Sequence, residues 1–139
     1  MVQLIVGKKG KGKTKCLLDK VNSEVKNILG SVVFLDKNTK HMYELNNKVR
    51  MIVVPEFMVD NADEFTGFVS GIISQDHDLQ QVYLDSFLSI ACLEDGDITP
   101  TIDKLNKLSE KFGVDFILSV SKDEDELPEA VRSNIVISL

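Results

Sequence analysis

Near the amino terminus, Gly7-Lys8-Lys9-Gly10-Lys11-Gly12-Lys13-Thr14 follows the spacing G-x-x-x-x-G-K-[ST]. Each position in that pattern has a physical task. Glycines at 10 and 12 let the backbone curl so that successive N–H groups point inward at an anion, and a helix starting near Lys13 adds its positive dipole end. Lys13 brings a point charge to the β- and γ-phosphates of a nucleotide, and the Thr14 hydroxyl is an oxygen ligand for Mg²⁺, which keeps several of its waters. Lys8, Lys9, Lys11 and Lys15 thicken the positive field around the same loop. The expected phosphate-binding set is therefore Gly7, Lys8, Lys9, Gly10, Lys11, Gly12, Lys13, Thr14 and Lys15, with Lys13 also acting in catalysis.

A second acid is needed to hold the metal through a water. Val82-Tyr83-Leu84-Asp85 has the required form, an apolar strand ending in a carboxylate, so Asp85 is the first candidate. Asp36 ends the run Val32 to Leu35 in the same way and is the reserve.

These residues can act together only if elements of the right kind carry them. Gln3 to Val6 reads as a short strand, and Leu17, Leu18, Val21, Val25, Ile28 and Leu29 then recur at helical spacing until Gly30. The phosphate pattern thus sits between a strand and an amphipathic helix, the context that supports it. Further apolar runs at Val32 to Leu35, Met51 to Val54, Val82 to Leu84, Phe116 to Val120 and Ile135 to Leu139 read as strands. Asn61 and Glu64 have capping-box spacing before Phe65, Phe68, Val69, Ile72 and Ile73, and Pro100 after Thr99 opens a helix with Ile102, Leu105, Leu108 and Phe112 inward and Gly113 as its stop. Thr39 to Leu45 fits a short helix or a hairpin arm, and Ser86 to Gly96 a mobile loop or a short helix. Strands that are apolar at consecutive positions and alternate with helices predict an α/β fold. Its form is a three-layer sandwich, a mostly parallel sheet of about five or six strands with helices on both faces, in a single domain over 1–139.

The two motifs and their placement resemble the P-loop NTPase superfamily. The similarity is greater to its additional-strand division, which includes RecA-like and motor ATPases, because a strand-helix-strand-helix passage separates Thr14 from Asp85. The Gly7–Thr14 and Val82–Asp85 elements are also similar to those of small bacterial ATPase-like proteins sometimes labelled twitching-motility ATPases. The resemblance implies a catalytic Glu directly after Asp85 or on a neighbouring strand. Ser86 follows Asp85, so Glu56, just past the third strand, is the carboxylate expected to polarise the attacking water if that strand lies beside the fourth. It also implies a polar residue sensing the γ-phosphate near the end of the fifth strand, where Ser119 and Ser121 stand. Arg50 and Arg132 read as surface residues, and His41 and His77 as residues of solvated loops.

With 43% hydrophobic and 27% charged residues the composition is that of an ordinary globular chain, and the net charge of −6 argues against a broad nucleic-acid face. The charge is uneven, because residues 1–40 hold nine Lys against three acids while 41–139 hold seven basic residues against nineteen acids. Cys16 and Cys92 have no paired spacing and read as buried small hydrophobes in a reducing compartment. No apolar stretch reaches the roughly 18 residues of a membrane span and no signal-peptide layout opens the chain, so a cytoplasmic location is expected.

The function expected is binding of a nucleoside triphosphate with Mg²⁺ and slow hydrolysis of the β–γ bond. ATP is favoured because no N-K-x-D pattern selecting guanine occurs. A small-molecule kinase and a non-catalytic switch read by a protein partner are the alternatives. A homo-oligomer that completes the site in trans is compatible with either.

Overall fold

The computed structural model describes all 139 residues. Six strands, β1 (Val2–Val6), β2 (Ser31–Asp36), β3 (Val49–Val53), β4 (Leu79–Leu84), β5 (Asp115–Val120) and β6 (Ile135–Ser138), form one sheet in the order β3-β2-β4-β5-β1-β6. Every neighbouring pair is parallel. The connections carry helices α1 (Lys13–Glu24), α2 (Ala62–Ser74), α3 (Phe87–Ile90), α4 (Thr99–Phe112) and α5 (Glu129–Arg132).

The consecutive apolar residues of the strands are explained by two cores, one on each face of the sheet. Leu4 and Val6, Val33 and Leu35, Val82 and Leu84, and Phe116 and Leu118 point to one face, where Phe65, Val69, Ile73, Ile102, Leu105 and Val131 cover them. Ile5, Phe34, Tyr83 and Ile117 point to the other, against Leu17, Leu18 and Val21 of α1. With a side-chain period of two and both faces dry, each inner strand has to be apolar throughout. Three layers result: α1, the sheet, and the group that includes α2 and α4.

Local sequence explains most element ends. The Asn61 side chain accepts from the Glu64 N–H at 2.9 Å, while the Glu64 carboxylate reaches the Asp60 N–H rather than that of Asn61. Gly113 closes α4 with φ of 66°, the left-handed conformation that glycine adopts without strain. The acidic run at 123–126 is a tight 3₁₀ turn in which Asp123 and Glu126 cap each other.

Several expectations change. The first helix ends at Glu24 and tightens into a 3₁₀ turn at Val25–Asn27, so Leu29 falls outside it and is fully exposed. Phe112 is the last residue of α4 and is half exposed instead of inward. Thr39 to Leu45 is a bend followed by a 3₁₀ turn at Met42–Glu44, and Ser86 to Gly96 begins with the single-turn α3. Cys92 is exposed and Cys16 half-buried, so neither is a core residue. No helix is long and apolar enough to cross a membrane.

Candidate phosphate-binding site

In a parallel sheet all strands end on one edge, and here that edge collects the loops after β1, β2, β4 and β5. The loop after β1 contains the phosphate pattern. Gly10 and Gly12 have φ of 81° and 95°, and a Cβ on either would be strained by the backbone itself although no neighbouring atom blocks the space. Gly12 precedes α1 and its carbonyl accepts the Cys16 N–H at 3.1 Å, so the N–H groups of the first turn remain directed at the loop. The base of the loop is held from outside. Gly7 donates to the Lys122 carbonyl at 2.8 Å, and Lys8 pairs with Asp123 at 3.4 Å.

Lys13 is buried, and its ammonium donates to the Lys8 carbonyl at 3.0 Å across the loop. Burial lowers its pKa, the nearby Asp85 opposes that, and Lys9 adds to it. A desolvated ammonium whose only bonded partner is a neutral carbonyl is well suited to an incoming anion. Thr14 turns its hydroxyl to Asp85, at 3.2 Å from Oδ1 and 3.1 Å from Oδ2. Asp85 is buried at the end of β4, where its N–H donates to the Leu35 carbonyl of β2 at 2.9 Å. The Ser119 hydroxyl on β5 donates to Asp85 Oδ1 at 2.6 Å and accepts the Ser86 N–H at 2.9 Å. Ser86 takes the left-handed conformation, φ 54°, which turns the chain sharply into α3.

Hydroxyl, carboxylate and hydroxyl make an all-oxygen group of the type that suits Mg²⁺. Thr14 would be the direct ligand, and Asp85 would act through a water. The residues present fit that ion, because the Thr14–Asp85 hydrogen bond already places both oxygen groups around one point at the mouth of the loop.

The cleft above these residues has a volume of about 500 Å³ and no hydrophobic residue in its lining. Lys9, Gly10, Gly12, Lys13, Thr14, Asp85, Ser119 and Ser121 line it, as does Ser86. Of the remaining phosphate-loop residues, Gly7 is buried at the base, Lys8 and Lys11 are exposed, and Lys15 is engaged with Asp19 at 2.9 Å. Three further residues of the lining, Lys37, Lys40 and His41, escape the sequence reading. The signal for them was their position directly after Asp36, at the strand end that faces the site. A polar hollow of similar size, about 540 Å³, lies between α1 and the 44–46 turn. Its Asn22 is occupied in holding the Glu44 carbonyl and the Asn46 N–H.

Glu56 does not meet the condition placed on it. β3 is the edge strand, β2 lies between it and β4, and Glu56 is exposed in the 3₁₀ turn that follows. The carboxylate on the strand beside β4 is Asp36. It is buried, its Oδ1 accepts the Lys37 N–H at 2.7 Å, and its Oδ2 has no partner. Burial, followed by the charge of Asp85, raises its pKa against the lowering by the Lys37 N–H. Arg132 is held by the Leu127 and Asp125 carbonyls, and Arg50 is exposed on β3, so neither lines the cleft.

Neither a protein-family model nor a curated protein sequence matches the chain. Solved structures do. The chain is similar to the flagellar accessory protein FlaH of Methanocaldococcus jannaschii, with TM-score 0.62 and 13% identity over 95% of this chain. It is also similar to a KaiC-like protein of Pyrococcus horikoshii OT3, with TM-score 0.65 and 19% identity over 95% of this chain. It spans 65% and 66% of the length of those two proteins. At such identity the likeness concerns the fold alone, and the twitching-motility resemblance finds no support in it. The chain shares with these structures its α/β fold, a parallel six-stranded sheet with helices on both faces, as the sequence predicts.

Proposed function

We propose that the chain binds a nucleoside triphosphate, ATP in preference to GTP, in the cleft at the strand ends, together with Mg²⁺, and slowly hydrolyses the β–γ bond. The observation that carries this reading is the convergence of Lys13 and Thr14, which open α1, and Asp85, directly after β4, around one cleft without a hydrophobic side chain. The loop N–H groups and Lys13 would bind and orient the phosphates. Thr14 and Asp85 would hold Mg²⁺, which supplies charge neutralisation on the phosphate oxygens when bound.

Asp36 is the carboxylate best placed to orient an attacking water, since it ends the strand next to Asp85. It is 1% exposed and does not line the cleft, so water reaches it only after local rearrangement. That burial favours slow turnover. Ser119 ties the metal-facing Asp85 to the segment that starts α3, a route by which bound nucleotide would reach residues 86–99.

Calorimetric titration of wild type and Lys13→Ala with ATP, GTP and a non-hydrolysable analogue in Mg²⁺, with phosphate release followed in the same samples, tests the proposal. Binding by wild type that is lost in the variant, with slow phosphate release, is the expected result. Binding without release would reduce the function to a switch, and release only with an added acceptor would make it a kinase. Absence of binding by wild type would overturn the reading.

A further inference from the structure

The strand order gives the phosphate cleft a direction. Its walls, in order, are the loop after β1, then β5 with Ser119, then β4 with Asp85, and last the loop after β2. A polyphosphate lying on the loop after β1, with its metal between Thr14 and Asp85, therefore points its terminal group toward the β2 side. Lys37 and Lys40 line the cleft on that side. Neither makes an ion pair, although six such pairs are present elsewhere in the chain. Their backbone is nonetheless fixed. Asp36 Oδ1 accepts the Lys37 N–H at 2.7 Å, Asn38 Oδ1 accepts the Lys40 N–H at 3.0 Å, and His41 is tied to Glu44 at 2.6 Å. Two ammonium groups are thus carried on an ordered turn with no carboxylate paired to either, in a cleft that no Arg lines.

We propose that Lys37 and Lys40 clamp the terminal phosphoryl group in cis, so that the site distinguishes a nucleoside triphosphate from a diphosphate. This rests on the nucleotide reading given above. In phosphoryl transfer the terminal group carries charge over three equatorial oxygens, and cations placed around it stabilise that charge as the bond to the leaving oxygen lengthens. The clamp supplies from within the chain the cation that NTPases often take from an Arg.

The test is a fluorescence titration of Mg²⁺ complexes of N-methylanthraniloyl-labelled ADP and of the labelled β,γ-imido triphosphate analogue. It uses wild type, Lys37→Ala, Lys40→Ala, the double variant, a double Lys→Arg variant and Lys13→Ala. The expected result is that each alanine weakens the triphosphate analogue by roughly tenfold, the size of one charge-assisted contact, while ADP affinity stays within about twofold. The double alanine variant loses the preference for triphosphate and the double arginine variant keeps most of it. Equal weakening of both nucleotides would overturn the clamp in favour of a general positive field, and unchanged binding of the analogue would overturn it outright. If wild type binds both nucleotides and Lys13→Ala neither, the nucleotide reading survives whatever the clamp variants do; if wild type binds neither, both fall.

Discussion

Ser119 and Asp85 are joined by a 2.6 Å hydrogen bond between neighbouring strands, with the hydroxyl donating to the carboxylate. The same oxygen accepts the Ser86 N–H, so one buried hydroxyl orients the metal-facing acid and the turn after it. Replacing Ser119 by Ala leaves both groups short of a partner. It should cost about 1–3 kcal/mol in chemical denaturation. Mg²⁺-dependent nucleotide affinity should fall more than Mg²⁺-independent affinity, which titration with and without the ion would show.

Thr14→Ala removes the hydroxyl that faces Asp85 but keeps the loop and Lys13. Nucleotide binding measured in EDTA should be nearly unchanged, whereas the gain on adding Mg²⁺ should shrink by roughly tenfold or more, the value of one good ligand-mediated contact. Equal losses in both conditions would show that Thr14 is structural.

Asp36 has a pKa raised by burial and by Asp85, so its ionised form is costlier in the folded chain than in the unfolded one. For a raised carboxyl the favourable contribution is complete below the unfolded value near 3.8 and is lost as pH rises through the higher folded value. Asp36→Asn should therefore raise stability at neutral pH, seen as a higher midpoint in thermal melts. The gain should vanish in melts below pH 4. If Asp36 also orients water, the same variant will lose phosphate release while retaining the β,γ-imido analogue.

On the face of the sheet that α1 covers, Tyr83 donates its hydroxyl toward Glu24, 3.0 Å away, tying β4 to the last turn of α1. Burial and then Glu24 push the phenol pKa well above its ordinary value. Burial pushes Glu24 up, but hydrogen bonds from Lys20, Gln81 and Tyr83 outweigh it and hold the carboxyl below its ordinary range. Glu24 thus stabilises the fold above its unfolded pKa and loses that contribution as pH falls through the lower folded value. Tyr83→Phe should cost about 1 kcal/mol at pH 7 in denaturant titration, and the difference from wild type should narrow under acid conditions.

The phosphate loop and its helix were legible in the sequence because their requirements are local. Gly12 is needed for a positive φ, Lys13 and Thr14 for charge and a hydroxyl, and a strand and a helix on either side; all lie within a few turns of chain. The strands were legible for the same reason, since runs such as Val33, Phe34 and Leu35 record burial on both faces at once. Helix ends were less so. Leu29 continues the apolar period of α1, yet the chain must turn there to enter β2, and the exposed Leu29 shows the turn overriding the pattern.

What the sequence by itself determined is the chemistry available: a phosphate cradle, an ammonium, a hydroxyl and carboxylates at strand ends. Which carboxylate and which cations share the site with it was decided by strand order, which depends on how whole layers pack and leaves no mark within any one segment. Glu56 and Asp36 both follow apolar strands, and only the placement of β2 between β3 and β4 puts Asp36 beside Asp85 and Glu56 away from it. His41 reads as a solvated-loop residue and Lys37 and Lys40 carry no motif, and only the parallel sheet brings the end of β2 to the same edge as Lys13.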